Sequence, residues 1–182
     1  ILAHGQKNLE VLSITEKDSR ILWLNYSAPS MGDSLMDLSS RVMLEGKKVD
    51  LFTSSMNAHI YSDDNIFNEV YSELDEFKDN KYDLVILDSY STRSIRIKSK
   101  ILPKTPYVGM FGFYNGPEVN RTLFSFNQMN NLLSNLLTDD ELLSIAKNSI
   151  NISENDKSLV DNLVPNSYVT IVLGGEWEYK TY

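Results

Sequence analysis

Cysteine is absent from this 182-residue chain. That excludes disulfides, thiol catalysis and thiolate-bound zinc together, and it fits a reducing compartment such as the cytoplasm. Histidine is scarce, with only His4 and His59. A zinc site built on several histidines is excluded, as is any mechanism that needs two. No apolar run approaches the roughly 18 residues of a membrane-crossing helix. Ile1 to Glu10 lacks the basic start and apolar stretch of a signal peptide. Positive charge is in deficit, with 17 Lys and Arg against 25 Asp and Glu, a net charge of -8. An acidic surface repels phosphate backbones, which argues against a nucleic-acid partner but leaves local basic patches free to hold a phosphorylated ligand.

The chain does have the means to build a core. Hydrophobic residues make up 42% and charged residues 23%, as in a soluble globular protein. At roughly 150 residues per domain, the length suggests one domain and a piece of another. Short apolar runs bounded by polar turns read as strands: Ile21 to Tyr26, Val49 to Phe52, Asp83 to Leu87, Tyr107 to Met110 and Tyr168 to Leu173, with a weaker one at Glu69 to Tyr71. Continuous rather than alternating apolar runs indicate strands buried on both faces, hence a parallel sheet. Leu35, Leu38 and Val42 mark one helix face, ended by Gly46. Further helices are expected around Ile95 to Ile101, from Phe124 to Leu137, from Asp139 to Ile150 and from Ser153 to Leu163. The alternation of strand and helix predicts an α/β, Rossmann-like parallel sheet. The expected organisation is an N-terminal extension over 1–20, the Rossmann-like domain over 21–164, and a linker with the first strand of a second domain over 165–182. Pro165 breaks the chain, and a strand followed by Gly174-Gly175 is how a second α/β unit begins.

Open α/β sheets bind ligands outside the carboxyl ends of their strands, so the loops that follow the strands carry the candidates. After the first strand comes Ser30-Met31-Gly32-Asp33 at a helix start, where free N–H groups attract anions. The pattern is neither G-x-G-x-x-G nor a P-loop. Asp33 is positioned either to take a proton from a hydroxyl or simply to cap the helix. After the strongest strand comes Asp88, read as a turn and cap residue or as the phosphoryl acceptor of a receiver domain; the acidic pair that a receiver needs after its first strand is missing. Arg93, Arg96 and Lys100, with Lys98 and Lys104, form the main basic cluster, either a solvated helix face or a phosphate-binding one. Arg93 falls in the first turn of its helix, against the helix dipole, which makes it the better site candidate. The aromatic loop Phe111 to Pro117 suits a sugar ring or makes a turn, and Arg121 follows it. His59 reads as a solvent-facing or satisfied histidine.

Taken together, these residues resemble the lipopolysaccharide heptosyltransferases of glycosyltransferase family 9. The motifs are the apolar strand leading into Ser30-Met31-Gly32-Asp33, the Tyr82-Asp83-Leu84-Val85-Ile86 strand with Arg93-Ser94 beyond it, and the strand, glycine pair and lysine of Tyr168 to Lys180. The first 20 residues lie outside the likeness, the loop Tyr26 to Pro29 is longer than the family's, and the strand-end carboxylate is displaced to Asp88. The resemblance implies the N-terminal half of a GT-B glycosyltransferase. It implies Asp33 as general base, Ser30, Gly32, Arg93, Arg96 and Arg121 as acceptor-binding residues, and Lys180 as donor-binding. It further implies inversion at the sugar, no bound metal or resident cofactor, and a nucleotide sugar, ADP-heptose by family default, as co-substrate. The acceptor would be a lipopolysaccharide core or similar lipid-linked glycan, met in the cytoplasm at the inner face of the bacterial inner membrane. A chain ending where the donor domain begins is expected to lack transfer activity by itself. The other reading left open is a non-catalytic Rossmann-like module that binds a phosphorylated ligand.

Overall fold

The computed structural model describes residues 4–28, 30–77, 81–89, 91–110 and 120–164. The expected Rossmann-like α/β sheet is present. Strands β1 (Arg20–Asn25), β2 (Lys48–Thr53), β3 (Phe67–Tyr71), β4 (Leu84–Leu87) and β5 (Tyr107–Gly109) are all parallel and lie in the order β3-β2-β1-β4-β5. Helices α1 (Met31–Asp37), α2 (Ser55–Tyr61), α3 (Thr92–Ile101), α4 (Arg121–Leu132) and α5 (Asp139–Ile145) belong to the same compact unit, residues 1–151. The unit of residues 152–182 contains α6 (Glu154–Leu163), capped by Ser153, whose hydroxyl accepts from the Asp156 N–H; α6 has no buried residue. No helix among the described residues is long and apolar enough to cross a membrane.

The continuous apolar strands have the predicted cause. Along β1, Ile21 and Trp23 enter one core with Leu38, Met129 and Leu132, while Leu22 and Leu24 enter a second core with Phe52 and Ile95. Both faces of the sheet are thereby closed, α1 and α4 covering one and α3 the other. The chain runs outward from β1 to β3 and returns beside β1 as β4. The crevice outside the carboxyl ends of β1 and β4 is the topological switch point.

The local structure departs from expectation in several places, each with a physical reason. The helix predicted through Leu35, Leu38 and Val42 breaks at Leu38 into a 3₁₀ segment, Ser39–Leu44. The Ser39 hydroxyl donates to the Met36 carbonyl at 2.7 Å, a local bond that competes with the α-helical ladder. The phase then shifts, so Leu44 is buried and Val42 is exposed; Gly46 ends the segment at φ 89°. Helix α2 carries no aliphatic stripe and buries Asn57 and Tyr61 instead. Helix α4 starts at Arg121 and stops at Leu132, where Ser134 and Asn135 take positive φ. Helix α5 ends at Ile145 rather than Ile150.

Lys98 is not on the basic face. It is fully buried, and its Nζ donates to Gln6 Oε1 and lies 5.3 Å from the Tyr107 ring centre. Burial pushes its ammonium down to about 8. Gln6 belongs to the N-terminal segment, which docks on the sheet: Glu10 bridges to Tyr107 on the outer side of β5, the Val11 N–H donates to the Tyr107 carbonyl, and Ile14 enters the core. The predicted strand Tyr168 to Leu173, Lys180 and the aromatic loop Phe111 to Pro117 lie outside the described residues.

Candidate active site at the carboxyl edge of the sheet

Asp33 sits in the first turn of α1, just past the end of β1. It does not cap the helix. Ser30 does, its hydroxyl accepting from the Asp33 N–H at 3.3 Å and donating to Asp33 Oδ2 at 2.6 Å. The Asp33 carboxylate turns one oxygen to Ser30 and leaves the other for a partner outside the helix. Arg121, the first residue of α4, reaches it across 88 positions of sequence, with Nη1 donating to Asp33 Oδ1 at 2.9 Å. The same guanidinium grips Asp37, one turn further along α1, through Nε–Oδ1 at 2.7 Å and Nη2–Oδ2 at 2.9 Å. Solvent reaches 23% of the Asp33 side chain and 33% of Arg121, but only 4% of Asp37. The trio is open on the Asp33 side and closed on the Asp37 side.

Burial pushes the Asp37 carboxyl up from its ordinary range, and Arg121 only partly offsets this. For Arg121, burial acts against the charge, but Asp37 foremost, then Asp33 and Asp88, outweigh it, so its proton is held more tightly than usual. Gly32 has no positive φ, and a Cβ there would meet only the Ser30 hydroxyl at 3.9 Å. The turn therefore does not need glycine for its backbone, and no other described residue stands within 4 Å of that position.

Asp88 closes the switch point from the β4 side. It is buried and accepts from Ser94 Oγ at 2.7 Å, the Ser27 N–H at 2.7 Å and the Ser89 N–H at 2.6 Å. The Ser27, Ser91 and Ser94 hydroxyls contact one another at 2.6 to 3.1 Å. Burial raises Asp88 to about 6 despite those donors. It does not cap α3; Ser91 does, accepting from the Ser94 N–H. A buried carboxylate with this many donors is a strut tying β1, β4 and α3 together, not an accessible phosphoryl acceptor.

Arg93 is in the first turn of α3, as expected, and exposed. It lines a cleft of about 500 Å³ on the α3 face with Tyr26, Phe52, Ser72, Glu73, Leu74 and Ile97. The Tyr26 and Phe52 rings stack there, 5.4 Å between centres and 8° apart in plane. Arg96 is on the exposed side of α3. The structure thus brings Ser30, Asp33 and Arg121 into one cluster, and places Arg93 and Arg96 on the other face of the sheet at the same edge. Lys180 lies outside the described residues. Asp37 was not among the residues singled out from sequence; its signal was its place four residues after Asp33 on the same helix. Among the described residues, no group of three or more histidine or acidic side chains is placed to hold a metal ion. His59, in α2, lines a separate cleft of about 340 Å³ beside β3.

No family model and no curated protein matches the chain. Among solved structures it is similar to the E. coli heptosyltransferase WaaC with ADP-2-deoxy-2-fluoro heptose, at 17% identity and a TM-score of 0.48, over 63% of this chain and 48% of that one. It is also similar to E. coli WaaC with ADP, at 17% identity and a TM-score of 0.47, over 63% and 47% of the two chains. A third is prephenate dehydrogenase from A. aeolicus in complex with hydroxyphenyl propionate and NAD+, at 18% identity and a TM-score of 0.36, over 64% and 40%. The chain spans about half the length of the heptosyltransferase structures it matches.

Proposed function

We propose that this chain is the acceptor-binding portion of an inverting GT-B glycosyltransferase. The observation that carries the reading is Asp33, a half-open carboxylate at the switch-point rim of a parallel sheet, held by Ser30 on one oxygen and by Arg121 on the other. Each of those oxygens keeps a lone pair for a further donor. In the proposed reaction an acceptor hydroxyl donates to Asp33. As its proton passes to the carboxylate, its oxygen attacks the anomeric carbon of a nucleotide sugar, and the nucleoside diphosphate leaves from the opposite face. The Ser30-Met31-Gly32-Asp33 turn supports the reading by its likeness to the heptosyltransferase family. The donor would be ADP-heptose by the family's default, with no resident cofactor, and Lys180 would meet its phosphates.

The acceptor would be a lipopolysaccharide core or a similar lipid-linked glycan at the inner face of the bacterial inner membrane. Its anionic groups would meet Arg93 and Arg96 of α3, and its sugar rings suit the stacked Tyr26 and Phe52 beside Arg93. The test uses the complete transferase and follows sugar transfer from ADP-heptose. Asp33→Asn is expected to lower turnover roughly 10²-fold or more, the size of a lost general base. A near-normal rate would return Asp33 to a purely structural role. Binding of the phosphorylated core without any transfer would favour the non-catalytic module instead.

A further inference from the structure

The Asp33–Arg121–Asp37 trio shares its bonds unequally. Arg121 gives two N–H groups to Asp37, at 2.7 and 2.9 Å, and one to Asp33, at 2.9 Å. The more buried carboxylate takes the larger share. Asp37 is fixed from several sides: the Ser125 hydroxyl of α4 donates to its backbone carbonyl at 2.7 Å, and Asn25 at the end of β1 lies against its side chain. A guanidinium is a rigid planar fork. Once its Nε/Nη2 edge is seated on Asp37, only Nη1 can serve Asp33. Without Asp37, that edge loses both of its carboxylate bonds and is released to turn toward Asp33. A carboxylate held bidentately by arginine is a poor proton acceptor, because its anionic form is strongly favoured.

We propose that Asp37 is the positioning residue of this site: it holds Arg121 by one edge so that Asp33 receives a single Arg121 N–H and keeps a lone pair for the acceptor hydroxyl. Other charged and titratable groups face the trio as well. Asp88 comes from the end of β4, acting on both Asp37 and Arg121, and Tyr61 from α2, which responds to Asp37. None of them donates to Asp33 or competes for the Arg121 fork. The inference rests on reading Asp33 as the base, but its first test does not depend on activity.

The test is a carboxyl-carbon NMR titration of Asp33 in this chain, wild type against Asp37→Asn. The asparagine keeps the shape but turns an amide toward Nη2, so the fork is released toward Asp33. The Asp33 midpoint is expected to fall by about one pH unit. In an Arg121→Gln background the same substitution is expected to move it by clearly less, because the fork is gone. An unchanged Asp33 midpoint in folded Asp37→Asn overturns the proposal, as does an equal shift in both backgrounds, which would make the effect direct repulsion. Should Asp37→Asn fail to fold, Arg121→Gln alone decides. Both carboxyls then titrate higher, and Asp37, which loses two bonds, must move more than Asp33. In the complete transferase, the acid limb of the kcat/KM profile of Asp37→Asn should shift with Asp33 while the protein stays folded. A moved midpoint without any transfer activity leaves the positioning role standing and removes the transferase reading.

Discussion

Two arginines hold aspartates among the helices on one face of the sheet, and they are built differently. Arg41 is sealed. Its Nε and Nη2 both donate to Asp64 Oδ2, at 2.9 and 2.7 Å, Nη1 and Nη2 also donate to the Leu38 and Ser149 carbonyls, and both side chains are at most 3% exposed. Its guanidinium carbon also lies 5.6 Å from the centre of the Tyr61 ring. Arg121 is a third exposed, serves two carboxylates, and leaves one of them facing solvent. The same residue types make a closed brace in one place and an open, shared charge in the other. What separates them is not charge or distance but access: Asp64 is sealed from solvent, whereas Asp33 is open to it. A site that must accept a proton has to leave its carboxylate within reach of the donor.

Substitutions can break that comparison. The largest effect is expected at the brace. Arg41→Ala strands a buried Asp64 and should cost about 3–5 kcal/mol in urea unfolding. Arg121→Ala should cost less, about 1–3 kcal/mol, because it leaves the buried Asp37 without its partner but removes an arginine that water already reaches. Equal losses would mean that the open cluster is only a second brace.

Lys98 sharpens the contrast from a third side, as a buried cation bonded to an amide rather than an acid. Its ammonium is pushed down to about 8 from an ordinary 10.5. The unfolded chain therefore binds the proton more tightly, and stability should rise as pH climbs from about 8 to 10, by about 2 kcal/mol. Above that range Tyr61 and Tyr107, raised by burial to about 12, keep their protons in the folded state and reverse the trend. Lys98→Met should flatten the rise; an unchanged slope in urea midpoints would show that Lys98 is not its source. The smallest effect belongs to Ser30→Ala, about 1 kcal/mol for the lost cap. It also frees Asp33 Oδ2, and thermal stability should fall only slightly.

The parallel sheet was legible because strands closed on both faces must be apolar throughout, as Leu84 to Leu87 are. Helix α2 was not, because it buries Asn57 and Tyr61 and so lacks the aliphatic stripe that marks a helix. Lys98 was misread for the related reason that a helical position says nothing about which side is covered; the N-terminal segment covers it. In the candidate site, the turn carrying Ser30, Gly32 and Asp33 could be read from residue order. The ion pair joining Asp33 to Arg121 could not, since 88 positions separate them. One local signal was available. A cation in the first turn of a helix opposes the dipole, the criterion that singled out Arg93. It applies equally to Arg121 once α4 is seen to begin there.

The N-terminal segment has a consequence for the behaviour of this protein in bulk. By laying Glu10 and Val11 along Tyr107, it occupies backbone groups on the rim of β5 that would otherwise be available to another molecule. Unpaired strand rims are templates for edge-to-edge association. A chain begun at Arg20 would lose those bonds together with the Ile14 core contact and the Gln6 partner of Lys98. The segment therefore guards the strand rim against association at the same time as it closes the core.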